Sequence, residues 1–329
     1  MKKILIIILV PQFLFAQTWI DKMQNPNENF YDTQKDFEDY WENRNIEKGK
    51  GWKQFKRWEN FIKPRVYPDG IQYPEILMQE FNKLNDLNNS FRMLPTNSWS
   101  QVGPDNVPLQ SNGSKRGIGR VNSIAFHPTD TSTLYVGAPA GGFWKSLDAG
   151  QTWITTSDFL TNLGVSDIAV NPNNTDEIYI ITGDRDGGDT YSYGLMKSLD
   201  GGITFTITGL SFSVTDYYKG NRVLIDPVNT NIVIVATSNG IYRSANSGLS
   251  FTHTYSGINM TDIEFHTTNS DIIYGGSKGS TSIYKSIDNG INWNQSGSGL
   301  PASSDVSRAC VAVTLDNPQV VYAMFGGND

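Results

Sequence analysis

The chain has 329 residues, enough for two domains or one large repeat domain, and its 31 glycines and 12% aromatic content favour turn-rich β structure over a helical bundle. A formal net charge of −7 argues against nucleic acid or a polyanionic surface as partner. The single cysteine, Cys310, excludes an internal disulfide framework and a cysteine-built zinc site, and its apolar neighbours Ala309 and Val311 predict a buried, inert thiol.

At the start, Lys2 and Lys3 precede an apolar run over 4–15 and a small-residue cleavage site at Leu14-Phe15-Ala16. This predicts a secretory signal peptide over 1–16, too short to span a bilayer. No cysteine follows for a lipid anchor. The mature chain is expected to begin near Gln17 and to be secreted or held at the outer cell surface, without a transmembrane segment. Export without disulfides points to a bacterial source.

Residues 17–96 predict a short helical segment. Phe37, Tyr40 and Trp41 recur at helical spacing, as do Trp52, Phe55, Trp58 and Ile62. Pro74-Glu75 opens a third helix with Leu77, Phe81 and Leu84 on one face. The rings are expected to dock these helices on the neighbouring domain; an aromatic ligand platform or a pro-segment is the alternative. A Gly/Pro/Ser-rich approach around Trp99-Ser100-Gln101-Val102-Gly103-Pro104 leads into 97–329.

From Gly119 one grammar repeats. A first apolar strand is predicted at 121–126, 165–170, 222–225, 260–265 and 309–313, and a polar turn follows each. Second strands are expected at 134–136, 178–181, 232–236, 272–274 and 320–324. A third strand then leads into an octet. The octets are Ser146-Leu147-Asp148-Ala149-Gly150-Gln151-Thr152-Trp153, Ser198-Leu199-Asp200-Gly201-Gly202-Ile203-Thr204-Phe205, Ser244-Ala245-Asn246-Ser247-Gly248-Leu249-Ser250-Phe251 and Ser286-Ile287-Asp288-Asn289-Gly290-Ile291-Asn292-Trp293. They start 52, 46 and 42 residues apart, a blade-sized period. In each, the Asp or Asn should accept downstream backbone N–H groups, the Gly should supply positive φ, and the aromatic ring should bury beside the turn.

Four antiparallel strands per repeat, the first two nearly all apolar, predict a mainly β fold: a β-propeller of four blades and part of a fifth. A half blade cannot close a ring, so the sequence is expected to be an N-terminal piece of a longer product. The octet aspartates are read as structural, on the rim opposite ligands. That opposite rim receives an insert, Gly183-Asp184-Arg185-Asp186-Gly187-Gly188-Asp189-Thr190-Tyr191-Ser192-Tyr193. Asp184, Asp186 and Asp189 could hold Ca²⁺ through oxygen ligands; equally the loop could contact a sugar or peptide with Tyr191 as platform, or stay solvated. Arg120, Arg222 and Arg308 recur near the starts of first strands. They could bind an anionic ligand in the channel or neutralise Asp184 and Asp186 across its mouth. Three dispersed histidines argue against a catalytic zinc centre, and no nucleophile elbow or P-loop is present.

The octet resembles the Asp-box of sialidase-like (BNR) propellers. The phrase Gly119-Arg120-Val121-Asn122-Ser123-Ile124-Ala125-Phe126-His127-Pro128, with Tyr135-Val136-Gly137 and Gly141-Gly142-Phe143-Trp144-Lys145-Ser146, is similar to exported Bacteroidetes propellers of the sortilin N-terminal type. Many of those carry a sorting domain for type IX secretion. The resemblance implies the fold over about 97–329, whereas proteins with such boxes differ in function. No Arg-Ile-Pro motif supports a sialidase. Xyloglucanase-like hydrolases resemble the first blade, but carry a catalytic Asp where this chain has Pro139. The expected function is therefore a non-catalytic module binding an extracellular protein or glycan. The alternatives are a glycoside hydrolase whose carboxylates lie partly outside this chain, and a rigid spacer for a further domain.

Overall fold

The computed structural model describes residues 18–23, 25–46, 50–90, 119–187, 190–279, 281–296, 298–301 and 306–327. The predicted signal peptide, the approach around 99–104 and Asp189 lie outside them. The chain divides into a helical unit up to Tyr73 and a β unit from Pro74 onward.

The helical unit contains α1 (Thr18–Met23), α2 (Phe30–Trp41) and α3 (Trp52–Ile62). Asn29 caps α2: its Oδ1 accepts from Tyr31 N at 2.9 Å, and its Nδ2 donates to Asp69 O at 2.8 Å. Trp19, Phe37 and Phe55 are buried together, with Trp19 set edge-on to both rings at 5.1 and 5.7 Å. The predicted role of the rings thus changes, because they supply a core within the helical unit itself. Helix α1 has too few residues for a periodic signal, and only its buried Trp19 marks it. The proline-initiated helix is present as α4 (Pro74–Ser90), which groups with the β unit.

The β unit holds four four-stranded antiparallel sheets, each with its strands in sequential order. The first is β1 (Ser123–Phe126), β2 (Leu134–Ala138), β3 (Gly142–Ser146) and β4 (Ile154–Thr155). The second is β5 (Val165–Val170), β6 (Ile178–Thr182), β7 (Gly194–Ser198) and β8 (Thr206–Ser211). The third is β9 (Gly220–Ile225), β10 (Val233–Thr237), β11 (Gly240–Ser244) and β12 (Thr252–Ser256). The fourth is β13 (Met260–His266), β14 (Asn269–Ser277), β15 (Ile283–Ser286) and β16 (Asn294–Ser296). A two-stranded sheet, β17 (Val306–Val313) and β18 (Val321–Gly327), follows. First strands of consecutive sheets pack on one another in chain order. This is a partial β-propeller, and the sheets are blades 1 to 5.

Burial explains why first and second strands read as continuous apolar runs. Every residue of β6 is buried. Ile178 and Ile180 join Tyr135 and Phe143 of blade 1, while Tyr179 and Ile181 join Val223 and Val233 of blade 3. Strand β10 repeats this, with Val233 and Val235 facing backward and Ile234 and Ala236 facing the core with blade 4. Period-2 alternation is present, but both faces meet a neighbour. On the outer blades the same kinds of position are open: Phe126 is 70% and Met324 70% exposed.

Several strands extend beyond the predicted apolar runs, notably β14 and β17. The ladder continues through polar residues beside bulges, where Ser166, Thr261 and Ser307 lie at the register shifts. Hydropathy does not report such pairing.

The octets form the predicted staples. Ser146 Oγ donates to Asp148 Oδ1 at 2.8 Å and accepts from Gly150 N at 2.8 Å; Asp148 accepts from Thr152 N at 2.8 Å and Thr152 Oγ1 at 2.6 Å. The other three octets repeat the Ser and Asp/Asn bonds within 0.2 Å. Both central residues are left-handed, including the non-glycines Ala149, Ser247 and Asn289. The turn's own hydrogen bonds hold them there. Trp293 is buried, but Trp153 of the outermost blade is 37% exposed, contrary to the expected burial of each ring.

Candidate functional site

The two rims separate cleanly. The octets sit beside the turns that follow the first strands, since Ala149 N donates to Ser132 O, Gly201 N to Asp176 O, Ser247 N to Asn231 O and Asn289 N to Asp271 O, all at 2.8–2.9 Å. The 183–193 insert joins β6 to β7 at the other rim. The octet aspartates therefore work within their turns. Hydrogen bonds led by the Thr152 and Thr204 hydroxyls lower Asp148 and Asp200 to about 2. With folded values below unfolded ones, these carboxylates add stability above about pH 4, which is lost as the pH falls toward 2. In an NMR titration both side chains are expected to show midpoints near 2, and midpoints near 4 would contradict the staple.

On the insert rim the structure gathers most of the predicted residues. Asp184 is fully buried. It pairs with Arg120, accepts from Asn122 Nδ2 at 3.3 Å, and takes the N–H groups of Asp186 and Gly187, each at 3.1 Å. Arg185 donates to the carbonyls of Asn122 at 2.7 Å and Asn221 at 3.4 Å. Asp186 pairs with Arg308 and lies 3.7 Å from Arg185 Nε. Thr190 Oγ1 donates to Pro139 O at 2.8 Å, so position 139 lies beside the insert. Tyr191 is edge-on to Tyr217 at 5.1 Å, and burial pushes its hydroxyl up to about 12. Half-buried in this way, Tyr191 offers little free face as a platform. Among the described residues, no group of three or more is placed to hold a metal ion.

Arg222 takes a different place from Arg120 and Arg308. It lies 3.7 Å from Asp167, 3.1 Å from Asp262, and bonds to Glu264. Asp167 and Asp262 hold matching positions in blades 2 and 4. Asp167 Oδ2 accepts from Val223 N of the next first strand at 3.0 Å, and Asp262 Oδ2 accepts from Val311 N at 3.0 Å. Burial outweighs Arg222 and the Val223 amide and pushes the Asp167 carboxyl up; burial likewise raises Glu264 against the pull of Arg222. Cys310 occupies the equivalent place in blade 5. It is only half-buried, correcting the fully buried expectation, and burial raises its thiol.

Strand reading missed this charged belt. The available signal was an acid within an apolar strand, Ser166-Asp167-Ile168 and Thr261-Asp262-Ile263. It also missed a latch between blades. Lys145 Nζ donates to Gly201 O at 3.0 Å, Lys197 Nζ to Ser247 O at 3.2 Å and Arg243 Nε to Asn289 O at 2.7 Å. Each basic residue directly precedes an octet serine, and each acceptor is a left-handed residue of the next octet.

No family model matches the chain. It is 28% identical over 148 residues to a xyloglucanase of Hypocrea jecorina, covering 41% of this chain and 18% of that protein. It is 26% identical over 226 residues to a xyloglucanase of Acetivibrio thermocellus, covering 57% of this chain and 26% of that protein. Among solved structures, a GH74 enzyme of Niastella koreensis aligns with a TM-score of 0.47 at 25% identity, over 60% of this chain and 32% of that one. The chain thus spans about a quarter or less of the length of these curated relatives. No described helix is long and apolar enough to cross a membrane.

Proposed function

We propose that the chain supplies propeller blades to a glycoside hydrolase directed at xyloglucan-type β-glucans. The similarity to xyloglucanases, extending over 226 residues in one of them, carries this reading. Glycoside hydrolysis normally uses two carboxyl groups about 5–9.5 Å apart, one of them able to give up a proton to the leaving oxygen. On the insert rim Asp184 and Asp186 are each held by an arginine, and position 139 is proline. These blades therefore contribute glycan-binding surface on the insert rim, and the acid and base come from elsewhere in the protein. The octets are Asp-boxes on this reading, residues 1–16 direct export, 17–96 form a helical lead-in and 97–329 the propeller. The sortilin-type resemblance adds type IX secretion to it.

The engaged carboxylates and Pro139 favour a second reading, a non-catalytic propeller that binds a glycan or a protein. One experiment separates the two. The full-length protein is incubated with xyloglucan while reducing ends and retention in affinity electrophoresis are followed. Release of reducing ends supports hydrolysis. Retention without release supports the binding module, and neither would sink the glycan assignment.

A further inference from the structure

Asp184-Arg185-Asp186 belongs to no repeat position, yet it reaches three other blades from blade 2. Asp184 and Arg185 are tied to blade 1 through Arg120 and Asn122, and Arg185 also donates to Asn221 O of blade 3. Asp186 pairs with Arg308 of blade 5, 122 residues away. Because the first strands pack in chain order, blade 2 meets blade 5 only across the axis that they surround. Among the described residues, the three apolar clusters of the β unit each join neighbouring blades, 1 with 2, 2 with 3 and 3 with 4.

We propose that Asp184-Arg185-Asp186 is a cross-axis clasp that braces non-neighbouring blades and closes the insert-rim mouth over Cys310 and the Asp167–Arg222–Asp262 belt. Two observations support it besides the ion pairs. Asp184 is wholly removed from solvent, which a ligand-seeking carboxylate on an open rim would not be. Arg308, the clasp's far anchor, stands two residues before Cys310 on the same face of β17, and Arg185 is tied to the carbonyl of Asn221, directly before Arg222 of the belt. The clasp does not depend on the glycan reading. It restricts bound solutes to the outer part of the rim, because the axial entrance is already filled by the chain's own charges.

The test uses the full chain. Asp186→Asn, Arg308→Met and the double variant are compared by urea unfolding. If the two residues act as one contact, the double variant is no worse than the more damaging single one, and the coupling is about tenfold in the unfolding constant. Effects that simply multiply would overturn the clasp. Labelling of Cys310 with uncharged iodoacetamide, compared at the high-pH limit where the thiol is fully ionised, supplies a second readout. Asp186→Asn is expected to speed native-state labelling about tenfold with the circular dichroism spectrum unchanged. An unchanged rate would show that the clasp does not cover the axis, whatever the stability cycle gives.

Discussion

Arg222→Met is expected to lower the stability of the β unit by about 3–5 kcal/mol at pH 7, read from urea unfolding. The loss belongs to the partners rather than to the guanidinium. Asp167 is buried, Glu264 is largely covered, and Asp262 lies 3.1 Å from Arg222, so removing the cation strands three carboxylates away from full hydration. The pH dependence follows from the directions of the shifts. Asp167 and Glu264 already sit above their ordinary values in the folded protein. An acid raised on folding favours the native state while protonated, below its unfolded value, and that contribution is lost as the pH rises through the folded value. Without Arg222 both values climb further. The variant should therefore recover toward wild type near pH 4 and show its full deficit at pH 7. Adding Asp167→Asn to Arg222→Met should restore part of the loss at pH 7. Equal deficits at pH 4 and pH 7 would mean that the belt is held by packing and not by charge.

What the sequence disclosed and what it withheld divide along a physical line. The octets were legible because their hydrogen bonds close within four residues, so Ser146, Asp148, Gly150 and Thr152 must appear at fixed spacing to make one turn. The strand grammar was legible because burial on both faces writes apolar runs such as 178–181. The insert stands out as a departure from the repeat, and arginines near the starts of first strands are natural partners for its aspartates, as Arg120 and Arg308 prove to be. The partners of Arg222 were not legible: Asp167 is 55 residues before it and Asp262 is 40 after it, and strand order around the axis decides that they meet. The latch from Lys145 to Gly201 O was equally silent, since its acceptor is a backbone atom with no sequence signature of its own.

The same distinction predicts where the octet is most sensitive. Gly202 has φ 88°, and a Cβ built there would lie 2.8 Å from Cε1 of Phe143 in the preceding blade. Phe143 is fully buried and edge-on to Phe205 at 5.1 Å, so it has little room to move. Gly202→Ala combines backbone strain with overpacking and is expected to cost about 2–4 kcal/mol in urea unfolding. Gly257, at φ 78°, has no described atom within 4 Å of the same ideal Cβ. Gly257→Ala carries the strain alone, about 1–2 kcal/mol. The difference measures how closely one blade's octet approaches the ring of its neighbour. Phe143→Leu in the Gly202→Ala background should return part of the lost stability, although Phe143→Leu alone destabilises. Additive losses would place the cost within the turn. Rescue would show that the glycine serves the interface, and that the octet shapes the joint between blades as well as its own hairpin.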